Sequence, residues 1–281
     1  MMRTIDVKEI TALVERLCMQ ANYHLPCDVR ASFVRGREQE QSPLGREIFD
    51  EMLRNCDLAA QNEVPICQDT GFAVIFAEIG QDVHLAGGAF EDAVNEGVRR
   101  GYENGYLRKS IVRDPLRRVN TDDNTPAMLN TRIVPGDKVK IIVAPKGGGS
   151  ENMSAMKMFT PAASRETIID WIAETVVKAG SNPCPPVILG VGLGGTADKA
   201  AYLAKAALLR PVDQVNPDPF YAEMEQAIVD KVNASGVGPQ GLGGTVTALS
   251  CAIEPYPTHI ASLPCALSIG CHVTRHAEGI L

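Results

Sequence analysis

The feature that most constrains the fold of this chain is an irregular alternation of two hydrophobic periodicities. Residues 7–18 repeat apolar side chains at three-and-four spacing, which predicts an amphipathic helix, whereas residues 72–79 (FAVIFAEI) form a short apolar run typical of a buried strand. Glycine-rich strings separate such patterns. The mixture predicts an α/β (mixed α+β) fold with a helix-rich N-terminal part over about residues 1–60, short sheets and glycine-rich connections. No break in composition divides the chain, so we expect a single large domain over 1–281.

Local signals predict further elements. Ser42 before Pro43 predicts the start of a second helix, because proline is favoured at the first helical position. The same signal at Thr160–Pro161 predicts a later helix, whose inner side carries Ile168, Ile169, Ile172, Val176 and Val177. The remaining predictions are helices over 90–104, from about 197 and from Asp218–Pro219, strands over 138–144 and 187–195, β-type runs over 245–273, and a long irregular segment over 109–126.

Charge and composition restrict the class of protein. The net charge is −7 and no basic block is present, which argues against nucleic acid or anionic lipid as the main partner. The N-terminal string MMRTIDVKEI has no apolar region of a signal peptide, and no apolar run is long enough to span a bilayer. We therefore expect a cytoplasmic location.

The cysteines divide into two kinds by their surroundings. All eight are scattered without compact spacing or a C-x-x-C pair, which favours reduced thiols and excludes a zinc-ribbon or thioredoxin-type motif. Cys18 and Cys56 fall on predicted helices and are expected to be buried. Cys67, Cys184 and Cys271 instead lie beside proline or glycine, where a rigid, non-helical backbone would hold the thiol outward. From the residues alone, both metal binding and simple packing remain open for these three.

Glycine loops and a few polar residues are the other candidates for chemistry. GGGSEN and two GLGGT strings expose backbone N–H groups that suit an anion, although none matches a nucleotide-binding motif and plain turns explain them equally well. Asp69 follows Cys67 by two residues, but aspartate in a turn commonly bonds its own backbone. Arg108 and His259 have equally simple alternatives as solvated loop residues. Taken singly, none of these residues defines a site.

Taken together, four strings carry a family resemblance. In order, PICQDTG, GGGSEN, NPCPP with VILGVGLGGT, and GCHVTRHA resemble the alpha subunit of the two-chain, iron–sulfur class I fumarate hydratases and L-tartrate dehydratases. The likeness runs from about residue 40 to the end, and CQDTG with GGGSEN is its most specific part. It implies that Cys67, Cys184 and Cys271 hold a [4Fe-4S] cluster. Three cysteines leave one iron open to act as a Lewis acid on the substrate.

The resemblance also implies roles for five other residues. Asp69 and His259 correspond to proton-transfer groups, and Gln68, Arg108 and Gly148 to substrate-binding groups. The region that completes the site in single-chain members is missing here. A separate beta subunit is therefore expected to complete the site, in an α2β2 assembly.

The implied reaction is the reversible hydration of fumarate to (S)-malate. Dehydration of L-tartrate to oxaloacetate and hydration of mesaconate are alternatives, because a single hydroxyl or methyl group is discriminated by pocket details. A non-enzymatic anion-binding protein and a zinc enzyme are alternatives of other classes. The joint presence of Cys67, Cys184, Cys271 and Asp69 favours the iron–sulfur enzyme.

Overall fold

The computed structural model describes residues 2–281, which form two compact units interleaved along the sequence. The first unit contains residues up to Pro26, Cys56–Gly148 and Arg275–Leu281, and the second contains Cys27–Asn55 and Gly149–Thr274. The predicted α/β (mixed α+β) class, with its helix-rich N-terminal part and short sheets, is confirmed. The assignment of one catalytic domain to residues 1–281 stays a prediction.

Helices and strands occupy most of residues 2–281. The helices are α1 (Val7–Tyr23), α2 (Cys27–Gln39), α3 (Pro43–Asn62), α4 (Phe90–Asn104), α5 (Gly148–Glu151), α6 (Arg165–Ala179), α7 (Ala197–Ala207) and α8 (Pro219–Asn233). The strands are β1 (Arg3–Asp6), β2 (Phe72–Gly80), β3 (Val83–Ala86), β4 (Met128–Val134), β5 (Val139–Lys146), β6 (Ala155–Phe159), β7 (Val187–Gly194), β8 (Ala248–Tyr256), β9 (Leu263–Gly270) and β10 (Ala277–Ile280). Within these residues, no helix has the length and apolar character needed to span a membrane.

In the first unit, β2 is an inner strand of a four-stranded sheet with the order β10-β5-β2-β4. It pairs antiparallel with β5 and parallel with β4. Most of β2 is buried, as its continuous apolar run predicts. Helix α1 packs against α4 and β5, and its apolar face joins the same core, which includes Leu17, Ile75, Val98 and Ile141. Asp6 caps α1 by accepting a hydrogen bond from the Lys8 N–H, which fixes where the helix begins.

In the second unit, β7 is an inner strand of a sheet with the order β6-β9-β7-β8. All of its residues are buried, and it pairs antiparallel with β9 and parallel with β8. Glycine is required where α7 crosses the strand. A β-carbon at Gly190 would lie 2.2 Å from the Ala204 carbonyl oxygen, and one at Gly192 would lie 2.0 Å from that of Ala200. The alternating glycines of VILGVGLGG therefore allow close helix–strand packing.

Most predicted elements are confirmed, and the exceptions have physical causes. The helix expected after Thr160–Pro161 begins at Arg165, because the Ser164 hydroxyl accepts the Thr167 N–H and is the actual cap. The prediction that Val177 faces inward was wrong: its side chain is 37% exposed, since it lies about 100° around the helix from the buried Val176. Helix α2 was not predicted, so the helix that begins at Pro43 is the third rather than the second. The other elements that were not predicted are α5, β1, β3, β4, β6 and β10.

Candidate active site

Asp69 lies in the turn between α3 and β2, and both of its carboxylate oxygens accept backbone hydrogen bonds. Its Oδ1 accepts the Gly71 N–H at 3.1 Å, and its Oδ2 accepts the Gly148 N–H at 2.8 Å. Two backbone donors, one on each oxygen, fix the orientation of the Asp69 carboxylate. The strings CQDTG and GGGSEN, 79 residues apart at these two positions, thus meet at one side chain.

Two glycines let these backbone segments approach one another. Gly71 has φ of +71°, and a β-carbon there would lie 2.4 Å from the Lys146 carbonyl oxygen. At Gly147 a β-carbon would lie 3.1 Å from Asp69 Oδ2. Because a side chain at either position would crowd the carboxylate or its backbone donors, the glycines of both strings are part of the site's construction.

Cys67 and Gln68 lie on the outer side of the same turn. The Cys67 Sγ accepts the Asp69 N–H at 3.4 Å and donates to Gln68 Oε1 at 3.2 Å. The Cys67 side chain is partly exposed and that of Gln68 is exposed. A non-helical backbone therefore presents a thiol and an amide beside the fixed carboxylate, as the sequence predicts.

A buried arginine, which the sequence did not single out, supports the turn that contains Asp69. Arg275 is 2% exposed and its guanidinium donates to the Asp69 carbonyl oxygen at 2.8 Å and to Asn22 Oδ1 at 3.0 Å. The Asn22 carbonyl oxygen in turn accepts the Ile66 N–H at 2.9 Å. Arg275 lies in the string GCHVTRHA, but its role depends on contacts with positions 22 and 69 that no local pattern reveals.

Tyr102 and Asn124 complete this buried support. The Tyr102 hydroxyl donates to the carbonyl oxygens of Thr70 at 2.8 Å and Gly71 at 3.1 Å, and the Asn124 amide also donates to Gly71 at 3.1 Å. Burial raises the pKa of Tyr102 far above its ordinary value, so the hydroxyl stays protonated and remains a donor. The carbonyl oxygens of Asp69, Thr70 and Gly71 thus all accept hydrogen bonds from buried side chains.

Arg108 lies in the irregular segment beside this turn. Its side chain is exposed, and its carbonyl oxygen accepts the Thr70 hydroxyl at 3.1 Å. Within residues 2–281 no ion pair involves its guanidinium. The backbone of Arg108, the predicted carboxylate-binding arginine, is therefore hydrogen-bonded to the Asp69 turn, and its guanidinium is exposed.

The sheet of the second unit brings Cys184 and Cys271 to one end. Cys184 precedes β7 and Cys271 follows β9, and these strands run antiparallel with Ile188 opposite Gly270. The His272 N–H donates to the Cys184 carbonyl oxygen at 3.2 Å, which joins the two turns. Strand pairing thus explains how two cysteines 87 residues apart in sequence lie at the same end of one sheet.

His259 lies at the opposite end of that sheet. It follows β8, which runs parallel to β7 and ends where Gly194 pairs with Tyr256. The neighbouring Thr258 hydroxyl donates to the Gly195 carbonyl oxygen at 2.9 Å, and the His259 side chain is exposed. An eight-residue strand is about 25 Å long, so this loop is far from Cys184 and Cys271 within the unit.

The two GLGGT strings also occupy opposite ends of β7 and β8. The first ends β7, and the second precedes β8, where Glu40 holds it. The buried Glu40 carboxylate accepts N–H groups of Ser42 at 2.8 Å and of Thr245 and Val246 at 2.9 Å. Burial opposes the charge of Glu40, but these donors outweigh it and lower the pKa of Glu40 below its usual value. The repeated string therefore does not mark a repeated site.

The thiols fit the two kinds predicted from their surroundings. Cys18 and Cys56 are buried, as expected, together with Cys251 and Cys265. Burial raises the pKa of Cys18 and of Cys265 to about 12, which disfavours the thiolate that binds metal.

Cys67, Cys184 and Cys271 are partly or fully exposed in turns and form no disulfide, so this donor set is chemically suited to a cluster. Within residues 2–281 no three His, Cys, Asp or Glu side chains are grouped closely enough to hold a metal ion. Convergence of the three cysteines stays a prediction.

Comparison with known proteins defines the class of this chain. The family model described as Fumarate hydratase (Fumerase) matches residues 11–280. A Methanocaldococcus jannaschii protein named "Putative L(+)-tartrate dehydratase subunit alpha" is 36% identical over 277 residues, which cover 96% of each chain. An Escherichia coli (strain UTI89) protein named "L(+)-tartrate dehydratase subunit alpha" is 30% identical over 273 residues, which cover 96% of this chain and 89% of that protein.

The chain therefore belongs to the fumarate hydratase family, a family of hydro-lyases whose class I members depend on an iron–sulfur cluster. The resemblance to alpha subunits of the two-chain members, read from four short strings, is confirmed.

Proposed function

We propose that this chain is the alpha subunit of a two-chain hydro-lyase that converts L(+)-tartrate to oxaloacetate. One observation carries the proposal: the Asp69 carboxylate is held by the Gly71 and Gly148 N–H groups directly beside the Cys67 thiol. The choice of substrate is supported by the names of the relatives, which favour L-tartrate over the fumarate that the motifs alone suggested.

Three cysteines are the proposed cluster ligands. Cys67, Cys184 and Cys271 would hold a [4Fe-4S] cluster, which when bound supplies a Lewis acid for the substrate hydroxyl through the iron that no cysteine holds. A beta subunit, in an α2β2 assembly, would supply the rest of the pocket.

The chain's own residues have separate tasks in this proposal. Dehydration removes a proton from one carbon and hydroxide from the next, and the resulting enol becomes oxaloacetate. Asp69 exchanges the proton at its carboxylate, which two N–H donors hold in place. Arg108 binds a substrate carboxylate through its planar guanidinium, and Gln68 offers an amide to the substrate. The Gly148 N–H, predicted to contact substrate, donates to Asp69 in the structure and so acts through it.

His259 has a different geometric requirement. Within its unit it lies about one strand length from Cys184 and Cys271. We propose that it takes part in proton transfer only at a site formed with another copy of the chain in the α2β2 assembly.

The test is a comparison of substrates with the assembled enzyme. The chain is co-expressed with its beta chain and reconstituted anaerobically, and kcat/KM is measured for L-tartrate, fumarate, (S)-malate and mesaconate. We expect L-tartrate to give the highest value. A higher value for fumarate would transfer the proposal to the second candidate, fumarate hydration, which the family's name favours. Turnover of none of these acids would overturn both.

Asp69→Asn tests the residue that carries the proposal. Loss of a general acid–base group is expected to lower kcat about 10²–10⁴-fold, with the iron content unchanged. The matched control is Asp82→Asn, an exposed aspartate in the turn after β2, which should retain wild-type kcat. Near-normal turnover by Asp69→Asn would remove Asp69 from the mechanism.

A further inference from the structure

Residues 111–121 of the first unit form an ordered hairpin, and we call this segment the basic hairpin. The Arg113 N–H donates to the Val119 carbonyl oxygen at 2.8 Å, and the Thr121 N–H donates to Ile111 at 2.9 Å. At the tip, Asp114 Oδ1 accepts the N–H groups of Leu116 at 3.0 Å and Arg117 at 2.7 Å. These bonds give the segment one defined shape although it contains no regular strand.

The basic hairpin exposes apolar side chains that a folded protein ordinarily covers. Leu116 at the tip is 90% exposed and Val119 is also exposed. Tyr106, which precedes Arg108 by two residues, is 90% exposed as well. A large apolar side chain held at the tip of an ordered hairpin is typical of an anchor that enters a pocket on a partner.

The charge of this segment opposes that of the chain. The basic hairpin, residues 111–121, contains three basic residues and one acidic residue, whereas the whole chain has a net charge of −7. Arg113, Arg117 and Arg118 are exposed, and no ion pair within residues 2–281 involves any of them. Arginine is enriched at protein interfaces, and these exposed arginines favour a partner surface with negative charge.

The basic hairpin is connected to the candidate active site by hydrogen bonds. Its base follows Arg108, whose carbonyl oxygen is bonded to the Thr70 hydroxyl in the Asp69 turn. Asn120 donates to the Lys109 carbonyl oxygen at 2.9 Å, and the Ser110 N–H donates to Asn124 Oδ1 at 2.7 Å. A partner bound to the hairpin would therefore lie next to the proposed carboxylate-binding arginine.

We infer that the basic hairpin is the docking element for the beta subunit, which receives Leu116 in an apolar pocket bordered by acidic side chains. The inference rests on the proposed function, since it takes its partner from the two-chain organisation. It adds the position on this chain at which the beta subunit binds, and it links that contact to the position of Arg108.

The experiment measures binding of the purified beta chain to this chain, independently of turnover. Leu116→Asp is expected to weaken the Kd at least about 10-fold, as removal of an interface anchor does. The control is Val215→Asp, which places the same charge at a 75% exposed apolar residue of the second unit and should leave the Kd unchanged. Thermal unfolding of each variant verifies that the fold is retained.

Charge-reversal variants test the electrostatic contribution to binding separately from the apolar contribution of Leu116. Arg117→Glu with Arg118→Glu should slow association, with an effect that shrinks as salt is added, whereas the exposed Arg54→Glu on α3 should not. An unchanged Kd in Leu116→Asp would overturn the inference. So would a loss of self-association of this chain without a loss of beta-chain binding, because the occupant would then be a second copy. Failure of the wild-type complex to turn over any tested acid would refute the proposed function while leaving the binding result intact.

Discussion

Arg275 supports the backbone of the Asp69 turn from a buried position. Its guanidinium bonds the Asp69 carbonyl oxygen and Asn22, and Asn22 bonds the start of the same turn. Arg275→Ala should therefore allow the turn to shift, while the Asp69 carboxyl group itself is unaltered. Since a misplacement of about 1 Å can cost about 10²-fold in rate, we expect kcat to fall 10–100-fold with little change in KM.

The measurement is steady-state kinetics of the reconstituted complex, with two comparisons. Guanidinium ion added to Arg275→Ala should restore part of kcat, because it can fill the vacated buried site. The control substitution Arg16→Ala, at an exposed arginine of α1, should leave kcat unchanged. An unchanged kcat, or a rise in KM alone, would show that Arg275 does not position Asp69.

The sequence singles out the candidate chemical groups of this turn but not the residues that support it. Cys67, Gln68 and Asp69 lie in one short string, so turn residues and family resemblance were enough to find them. Asn22, Tyr102 and Arg275 act through hydrogen bonds between distant positions. These contacts exist only after α1, α4 and the C-terminal segment have packed, so no local pattern could reveal them.

At the scale of elements, Glu40 joins the end of α2 to the loop before β8. Three backbone N–H groups converge on its buried carboxylate. Glu40→Gln replaces one acceptor oxygen with a donor, so a buried N–H loses its partner and the free energy of unfolding should fall by about 1–3 kcal/mol at pH 7.

The pH dependence of this effect follows from the pKa of Glu40. Its folded-state pKa is lowered, so its stabilising contribution is present above the ordinary glutamate value of about 4.3 and is lost as pH falls through the lower folded value. Urea unfolding should thus show a gap between wild type and Glu40→Gln that narrows towards pH 3. The exposed Glu38→Gln should match wild type at both pH values, and a gap that widens in acid would refute this account.

At this scale, strand pairing explains which features the sequence predicted and which it did not. The strands β7, β8 and β9 were predicted from their apolar runs, but only their register shows that Cys184 and Cys271 share one end while His259 lies at the other. Helix α2 was missed because it is mostly polar and contains Gly36, which is unfavourable in a helix. In the structure that glycine gives room to Phe49, whose ring would lie 2.7 Å from an added β-carbon.

At the scale of the whole molecule, both units contain cysteines that the family resemblance assigns to the cluster. Cys67 and Asp69 belong to the first unit, and Cys184 and Cys271 belong to the second. Family membership and the presence of all three exposed thiols support a shared cluster, which makes the metal content the central quantity of the account.

The most direct test is the iron and acid-labile sulfide content per chain after anaerobic reconstitution. Wild type should hold about four irons and four sulfides, and Cys67→Ser, Cys184→Ser and Cys271→Ser should each lose most of both. Cys27→Ser, which alters an exposed thiol at the start of α2, should keep the wild-type content. Zinc or no metal in wild type, or full iron content in all three turn variants, would contradict the account.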